Sequence, residues 1–307
     1  MKASSLFSLI RQESKNGSPL SIEELCALSG VSRSGYYRWI NAEENRIRLE
    51  KIDYSDFQLI KEAYDFRGYA KGYRGIQMRL IRMGIRMNHK KIRRLMQKYG
   101  LRCPIRKANP YRRMAKALQT DAVAENFVNR EFRSHGPRSV LLTDITYLRL
   151  NGRFCYLSVI KDAFTMQILA YQLSESLEVD FVLETVKQLL RNHQCSLDAR
   201  TLIHSDQGCH YTSVAFRQLI QDSKLRQSMS RRGNCWDNAP QESFFGHMKD
   251  ELHPYIKGWK SFEDAKERIS DWMDYYNNDR YQTILRWMSP NEFYHYTVTN
   301  QLPTALA

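Results

Sequence analysis

The stretch that decides the fold is Val140-Leu-Leu-Thr-Asp-Ile-Thr-Tyr-Leu148. Its apolar and β-branched residues predict a buried strand. Asp144 lies in the middle of that strand, where a charged side chain is unexpected. A structural acid that is hydrogen-bonded at a strand edge would account for Asp144, but its apolar neighbours favour a functional carboxylate.

A second acid, Asp206, lies at the carboxyl end of another predicted strand, Leu202-Ile-His-Ser205. A helix follows, and Thr212 or Ser213 would be its N-cap. His204 and His210 lie close to this acid, and we expect them to support the site or to face DNA rather than to act as bases.

A third acid, Glu242, is separated from Asp206 by thirty-five residues and lies in Asn234-Cys-Trp-Asp-Asn-Ala-Pro-Gln-Glu-Ser-Phe-Phe-Gly-His-Met-Lys249. Asp237 and Asn238 are good N-cap residues and Pro240 suits a first turn, so a helix is predicted to begin here. Its apolar stripe contains Phe245, Met248 and Leu252. Glu242 and Lys249 share another face. An ordinary first-turn acid placed to meet the helix dipole is the alternative for Glu242.

Three carboxylates that converge would repel one another unless a cation lay between them. Mg²⁺ prefers hard oxygen ligands and keeps positions open for water and phosphate oxygens. Such a cluster can hold two ions about 3.5–4 Å apart across a phosphodiester. The pattern therefore favours metal-dependent phosphoryl transfer.

The same acids and their neighbours resemble the DDE triad of retroviral-integrase-like transposases. The short sequence motifs around them resemble those of the second-frame product of the IS-three insertion-sequence family, and the resemblance covers nearly the whole chain. These motifs are Thr143–Tyr147, His204–Gly208, Tyr211–Ser213, Ser228–Ser230, Gly233–Ala239 and Glu242–Phe245.

This resemblance implies an α/β fold of the ribonuclease-H-like (integrase catalytic core) class, preceded by small all-α helix-turn-helix modules. It implies that the first and fourth strands are adjacent. Asp144, Asp206 and Glu242 would be both the catalytic residues and the ligands of two Mg²⁺ (or Mn²⁺) ions. Lys249 would meet DNA near the scissile phosphate, and the activity would be cleavage and strand transfer of an insertion sequence.

Strand patterns at 140–149, 153–162 and 167–174, with a hairpin turn at Asn151-Gly152, fit the order of this fold. A helix at about 178–191, a short strand at about 226–229 and a helix at 262–277 complete it. Asp162, near a strand end, is predicted to be a turn acid.

The basic charge is concentrated in one segment of the 307-residue chain. Between Phe66 and Thr120 there are seventeen Lys or Arg and no Asp or Glu, against a net charge of +14 for the whole chain. A solvated charged face usually mixes signs, so phosphate binding is favoured.

Two classes of protein are disfavoured by the sequence. No apolar run approaches the ~20 residues that span a bilayer, so we expect no membrane contact and a cytoplasmic protein, associated with the nucleoid when bound to DNA. The six cysteines include no CxxC pair and no His at zinc-ligand spacing, so the zinc module of retroviral integrases is not expected.

We predict five domains or segments. Residues 1–50 form a helix-turn-helix module, 51–101 a second basic helical DNA-binding module, 102–125 a basic linker, 126–255 the catalytic core, and 256–307 a C-terminal helix and tail. In the first module Arg33, Ser34, Tyr37 and Arg38 would reach DNA bases; a helical hairpin that only packs is the alternative. In the second, Lys90, Lys91, Arg93 and Arg94 would meet phosphates.

Two other functions stay open from the sequence alone. A DNA-binding regulator of transposition would use the helical modules and keep the core as a scaffold, and a ribonuclease-H-type nuclease would keep the chemistry without strand transfer. The expected partners are element terminal repeats and target DNA, further copies of this chain, and a first-frame product. Active members of the family normally carry that product as an upstream fusion, so we expect this chain to be a part of the active form.

Overall fold

The computed structural model describes residues 3–104, 135–150, 152–230, 239–256 and 258–306. Among these residues the helices are α1 (Ala3–Lys15), α2 (Ile22–Leu28), α3 (Arg33–Asn41), α4 (Glu43–Asp65), α5 (Tyr73–Arg82), α6 (His89–Lys98), α7 (Asp180–His193), α8 (Cys209–Thr212), α9 (Val214–Asp222), α10 (Ala239–Ile256), α11 (Phe262–Asn278) and α12 (Pro290–Thr299). The strands are β1 (Val140–Leu150), β2 (Arg153–Asp162), β3 (Ile168–Ser174), β4 (Leu202–Ser205) and β5 (Arg226–Met229).

The described chain divides into two compact units. One contains residues up to 62 together with 91–101, and the other contains 63–90 together with 102–306. The predicted linker and the predicted start of the core near Asn126 fall largely outside the described residues. The predicted domain boundaries stay a prediction.

The first unit contains the predicted pair of short helices, α2 and α3. Ser21 forms the predicted capping box with Glu24, and the Ser32 hydroxyl accepts from the Gly35 amide at the start of α3. A small core joins them to α1 through Ile10, Leu25, Cys26 and Tyr36. The sequence analysis did not predict α1.

The second unit is built on a five-stranded sheet of order β3-β2-β1-β4-β5. The first three strands are antiparallel, and β4 and β5 run parallel to β1. This mixed topology, with helices on both faces, is the ribonuclease-H-like fold, and the adjacency of the first and fourth strands is confirmed. Gly152 takes the positive φ of the predicted hairpin turn, and Asn151 lies outside the described residues.

Two apolar layers cover this sheet. On one face Leu148, Leu150, Leu157 and Val159 pack against α10 and α11. On the other face the apolar layer is made with α7, α9 and part of β4. Asp144 lies on the face of the sheet that α10 covers, because it is four residues from Leu148 and side chains an even number of residues apart on a strand point to the same face. That face therefore matters most for function.

The C-terminal segment is ordered by specific polar contacts. Glu251 on α10 accepts from Trp272 Nε1 at 3.0 Å and from Arg280 Nε at 3.1 Å. Ser289 and Glu292 form a capping box for α12. The helix α12 continues to Thr299, within the predicted C-terminal helix and tail.

Within the described part of the chain, no helix combines the length and the apolar character needed to cross a bilayer.

Candidate active site

Asp144 lies in the middle of β1, on the central strand of the sheet. Its strand partner is Val159, and its Oδ1 accepts a hydrogen bond from the Ile145 amide at 2.8 Å. Among the described residues no second hydrogen bond to this carboxylate is found, so its other oxygen is available to a ligand.

Asp206 directly follows β4. The parallel register pairs Leu142 with His204, and Asp144 and Asp206 each follow that pair by two residues along the chain. The Gly208 amide donates to Asp206 Oδ1 at 2.9 Å. A Cβ at position 208 would lie 2.9 Å from that same oxygen, so a larger residue there would displace the Asp206 carboxylate.

Glu242 lies in the first turns of α10 and is exposed. The predicted apolar stripe of this helix is confirmed, because Phe245, Met248 and Leu252 are buried against the sheet and α11. The predicted caps Asp237 and Asn238, and also Trp236, lie outside the described residues. Glu242 and Lys249 flank this buried stripe on α10, where Glu242 is exposed and Lys249 is half-buried.

The electrostatics around Asp144 bring the predicted site residues together. The pKa of Asp144 is raised to about 7, mainly by burial and also by the charges of Asp206 and Glu242, while the Ile145 amide and Lys249 act in the opposite direction. Burial also lowers the pKa of Lys249, an effect that Asp144 opposes. The charges of Asp206, Glu242 and Lys249 are therefore all felt at the Asp144 carboxyl.

The described side chains do not already form a metal-coordination group. Among the described residues, no set of three His, Cys, Asp or Glu side chains is arranged to hold an ion. The donor chemistry nevertheless fits a hard divalent cation, since carboxylate oxygens are the ligands it prefers and the charges of Asp206 and Glu242 raise the pKa of Asp144.

The two histidines near Asp206 have structural surroundings. His204 is fully buried, and its ring nitrogens lie 3.0 Å from the Ser228 hydroxyl and 3.1 Å from that of Ser230. A DNA-facing role for His204 is therefore wrong. His210 Nε2 lies 2.7 Å from the Leu177 carbonyl oxygen.

Asp162 is the turn acid that was predicted. Its Oδ1 accepts from the Phe164 and Thr165 amides, and its Oδ2 accepts from the backbone and the guanidinium of Arg138. Because it is fully buried and its acceptors are used, it does not contribute to the acid cluster.

The residue that sequence reasoning missed is Lys161, the inward-facing lysine of β2. Its Nζ donates to the Pro240 carbonyl at 2.7 Å, at the start of α10. The available signal was a lysine at an inward position of an alternating strand, Phe154 to Asp162, where an apolar residue is normal.

The predicted base-reading residues lie on α3. Arg33, Ser34, Tyr37 and Arg38 are all exposed. Arg33 makes an exposed ion pair with Glu23 at 3.2 Å, which would be exchanged easily for another anion. The four side chains form a surface that DNA can reach.

The predicted basic residues of α6 are partly engaged within the first unit. Asn88 caps the helix as predicted, and Ile92, Leu95 and Met96 are buried. Arg94 makes two hydrogen bonds to Asp53 at 2.6 and 2.7 Å, and Lys91 pairs with Asp56. Lys90 and Arg93 are exposed, so the α6 surface offers both paired and accessible cations.

Known families match both parts of the chain. Two integrase core domain models match residues 134–235 and 223–290, and an HTH-like domain model matches residues 51–109. These ranges include all three acids in the core matches and α6 in the helical match.

Named relatives match along most of their length. The putative transposase InsK of insertion sequence element IS150 from Escherichia coli K12 is 31% identical over 278 residues, which is 90% of this chain and 94% of the relative. An uncharacterised transposase-like protein of Haemophilus influenzae is 34% identical over 68% of this chain and 94% of its own length. The magnesium-bound HTLV-2 integrase catalytic core is 15% identical, covers 53% of this chain and all of that structure, and has a TM-score of 0.41.

Proposed function

This chain belongs to the insertion-sequence transposases that carry an integrase core domain, and from that premise we propose a specific chemistry for it. It cleaves DNA strands at the ends of its element and transfers the freed 3′ ends to target DNA. Asp144, Asp206 and Glu242 are the catalytic carboxylates. The observation that carries the proposal is the placement of Asp144 inside the central strand β1, directly beside the parallel strand β4 that Asp206 follows.

In this proposal the three carboxylates would hold divalent cations, Mg²⁺ or Mn²⁺, and two ions are expected. When bound, such ions neutralise phosphate charge and lower the pKa of a coordinated hydroxyl group. Asp144 is the most rigidly held of the three carboxylates, because it lies on the central strand. Asp206 lies just past the end of a strand, and Glu242 lies near the start of a helix. Near neutral pH and without a cation, the Asp144 carboxyl holds a proton for part of the time.

Lys249 is proposed to orient the DNA strand. Lys249 and Glu242 are seven residues apart on one face of α10, and Lys249 is close enough to lower the pKa of Asp144. An ammonium at this place attracts a phosphate to the acid cluster and offsets part of the repulsion between phosphate and carboxylates. A salt-dependent contribution to binding follows.

The helical modules are proposed to recognise element ends. Arg33, Ser34, Tyr37 and Arg38 on α3 would contact bases, while Lys90, Lys91, Arg93 and Arg94 on α6 would contact phosphates. The paired cations, Lys91 and Arg94, would exchange a carboxylate for a phosphate. Further copies of this chain on DNA, and a first-frame product or a fusion to it, are the proposed protein partners.

The test is Mg²⁺- or Mn²⁺-dependent cleavage and strand transfer on the duplex end of the cognate element. Wild type, Glu242→Gln and a form fused to the upstream product are compared, with Asp250→Asn, an exposed acid on the same helix, as the matched control. The proposal is supported if wild type and Asp250→Asn cleave DNA, whereas Glu242→Gln binds DNA but does not cleave it. Cleavage retained by Glu242→Gln contradicts the triad, and DNA binding without cleavage in every form favours a regulator.

A further inference from the structure

Lys161 is a buried cation that the proposed chemistry does not use. Its side chain is 1% exposed, yet its Nζ donates to the Pro240 carbonyl at 2.7 Å and lies 5.1 Å from the centre of the Phe244 ring. Pro240 and Phe244 flank Glu242 in the first turns of α10. A single side chain thus ties the sheet to the part of the helix that carries the third acid.

The strand register places Lys161 beside Asp144 as well. Val159 is the partner of Asp144 on β2, and Lys161 is the partner of Leu142, so Lys161 is the diagonal neighbour of Asp144 on the same face of the sheet. Diagonal neighbours are within reach of long side chains. The charge of Asp144 raises the pKa of Lys161, although burial and Arg280 act against it and leave the pKa at about 7.

This arrangement is unfavourable for stability alone. A buried ammonium without a carboxylate partner is costly, and a cation at the N-terminal end of a helix is opposed by the helix dipole. An apolar side chain of similar length would fill the same space without either cost. Residues that lower stability in this way concentrate at functional sites.

We infer that Lys161 is a positioning residue whose bond to the Pro240 carbonyl fixes the first turn of α10 and thereby holds Glu242 at the place where it meets Asp144 and Asp206. The inference deepens the proposed function and rests on it. Lys161 touches neither DNA nor the reacting atoms. Its effect passes through the backbone of α10.

The experiment compares wild type with Lys161→Met, which keeps the side-chain length and loses the donor, and Lys161→Gln, which keeps a neutral donor. Lys187→Met, an exposed lysine on α7, is the matched control. Three quantities are measured in the full chain: the unfolding free energy in EDTA, hydrogen–deuterium exchange of the peptide 239–246, and the Mn²⁺ concentration that gives half of the Mn²⁺-induced rise in melting temperature.

For Lys161→Met we expect an unfolding free energy at pH 7 no lower than that of wild type. We expect exchange in the first turn of α10 to be about 10-fold faster, with no change in α11. The Mn²⁺ midpoint should rise by about 10-fold or more, as is typical when a residue that supports metal ligands is removed. The exchange rate and the Mn²⁺ midpoint of Lys161→Gln should lie between those of wild type and Lys161→Met, and those of Lys187→Met should match wild type.

Unchanged exchange and an unchanged Mn²⁺ midpoint in Lys161→Met would overturn the inference, and so would a lower stability with no change in the midpoint. If Lys161→Met does not fold, the same comparisons are made with Lys161→Gln. The exchange measurement needs neither DNA nor activity. A wild-type chain that neither responds to Mn²⁺ nor cuts DNA therefore refutes the proposed function, while unchanged exchange in the variant refutes the anchoring role separately.

Discussion

Asp144 and Asp206 each lie two residues beyond a paired position of the adjacent parallel strands β1 and β4, although 61 residues separate the two acids in the sequence. One is held inside the sheet and the other lies just past a strand end, at a turn fixed by Gly208. This placement combines a rigid buried carboxylate with an exposed one that can adjust. It also explains why the pKa of Asp144 responds to Asp206.

We predict that Asp144→Asn stabilises the metal-free protein and abolishes cleavage. The folded-state pKa of Asp144, about 7, lies above its ordinary value of 3.8, so the ionised carboxylate costs stability increasingly as the pH rises from about 4 to 7. Asparagine keeps an acceptor for the Ile145 amide and removes the charge, with a gain of about 1–3 kcal/mol at pH 7.5. Chemical unfolding in EDTA measures this gain.

Cleavage by Asp144→Asn should fall by at least about 10³-fold, because a neutral amide is a poor ligand for the proposed cations. Asp250→Asn serves as the control and should change neither quantity. A variant that is less stable than wild type in EDTA, with the cleavage rate preserved, would assign Asp144 to the fold rather than to the chemistry.

Lys249→Ala should weaken binding to duplex DNA in a way that does not depend on the base sequence. If the ammonium meets one phosphate, the slope of log affinity against log salt concentration falls by about 1. Fluorescence anisotropy over a range of salt concentrations measures the slope. Lys187→Ala, which removes an exposed lysine from α7, should leave it unchanged, and an equal slope for Lys249→Ala and wild type would place Lys249 away from the DNA.

Asp162→Asn should destabilise the fold, in contrast to Asp144→Asn. Both Asp162 oxygens accept hydrogen bonds, including one from the Arg138 guanidinium at 2.8 Å, and the side chain is fully buried. An amide NH₂ would face donors and leave Arg138 without its partner, at a cost of about 2–5 kcal/mol. Urea unfolding measures the loss. A loss below about 0.5 kcal/mol would mean that water can replace the carboxylate at this turn.

Local signals predicted the elements well. Ser213, one of the two predicted N-caps of α9, does cap that helix, because a cap depends on a few consecutive residues. The apolar stripe of α10 was predicted for the same reason. The adjacency of β1 and β4 came from the family resemblance, since residue periodicity carries no information about which distant strands pair.

The remaining features depend on contacts between distant residues. Lys161 and Pro240 are 79 residues apart, and no pattern near either residue indicates their hydrogen bond. The partial neutralisation of α6 by Asp53 and Asp56 on α4 was hidden for the same reason, because a count of charges along the sequence does not show which side chains meet.

The pH dependence of stability should reveal the buried ammonium of Lys161. Its folded-state pKa, about 7, lies below the ordinary value of 10.5, because burial and Arg280 disfavour the charge more than Asp144 favours it. Between these two values the unfolded chain binds more protons than the folded one, so the unfolding free energy contributed by this group rises with pH. Below about pH 7 both states are protonated and the contribution is constant. We therefore expect the unfolding free energy of wild type, relative to that of Lys161→Met, to rise by about 1–3 kcal/mol between pH 7 and 9. Urea unfolding at several pH values measures this change. Taking the difference between the two proteins separates the contribution of Lys161 from that of the buried tyrosines, whose own titration begins at higher pH. A difference that does not change with pH would mean that Lys161 keeps its charge throughout.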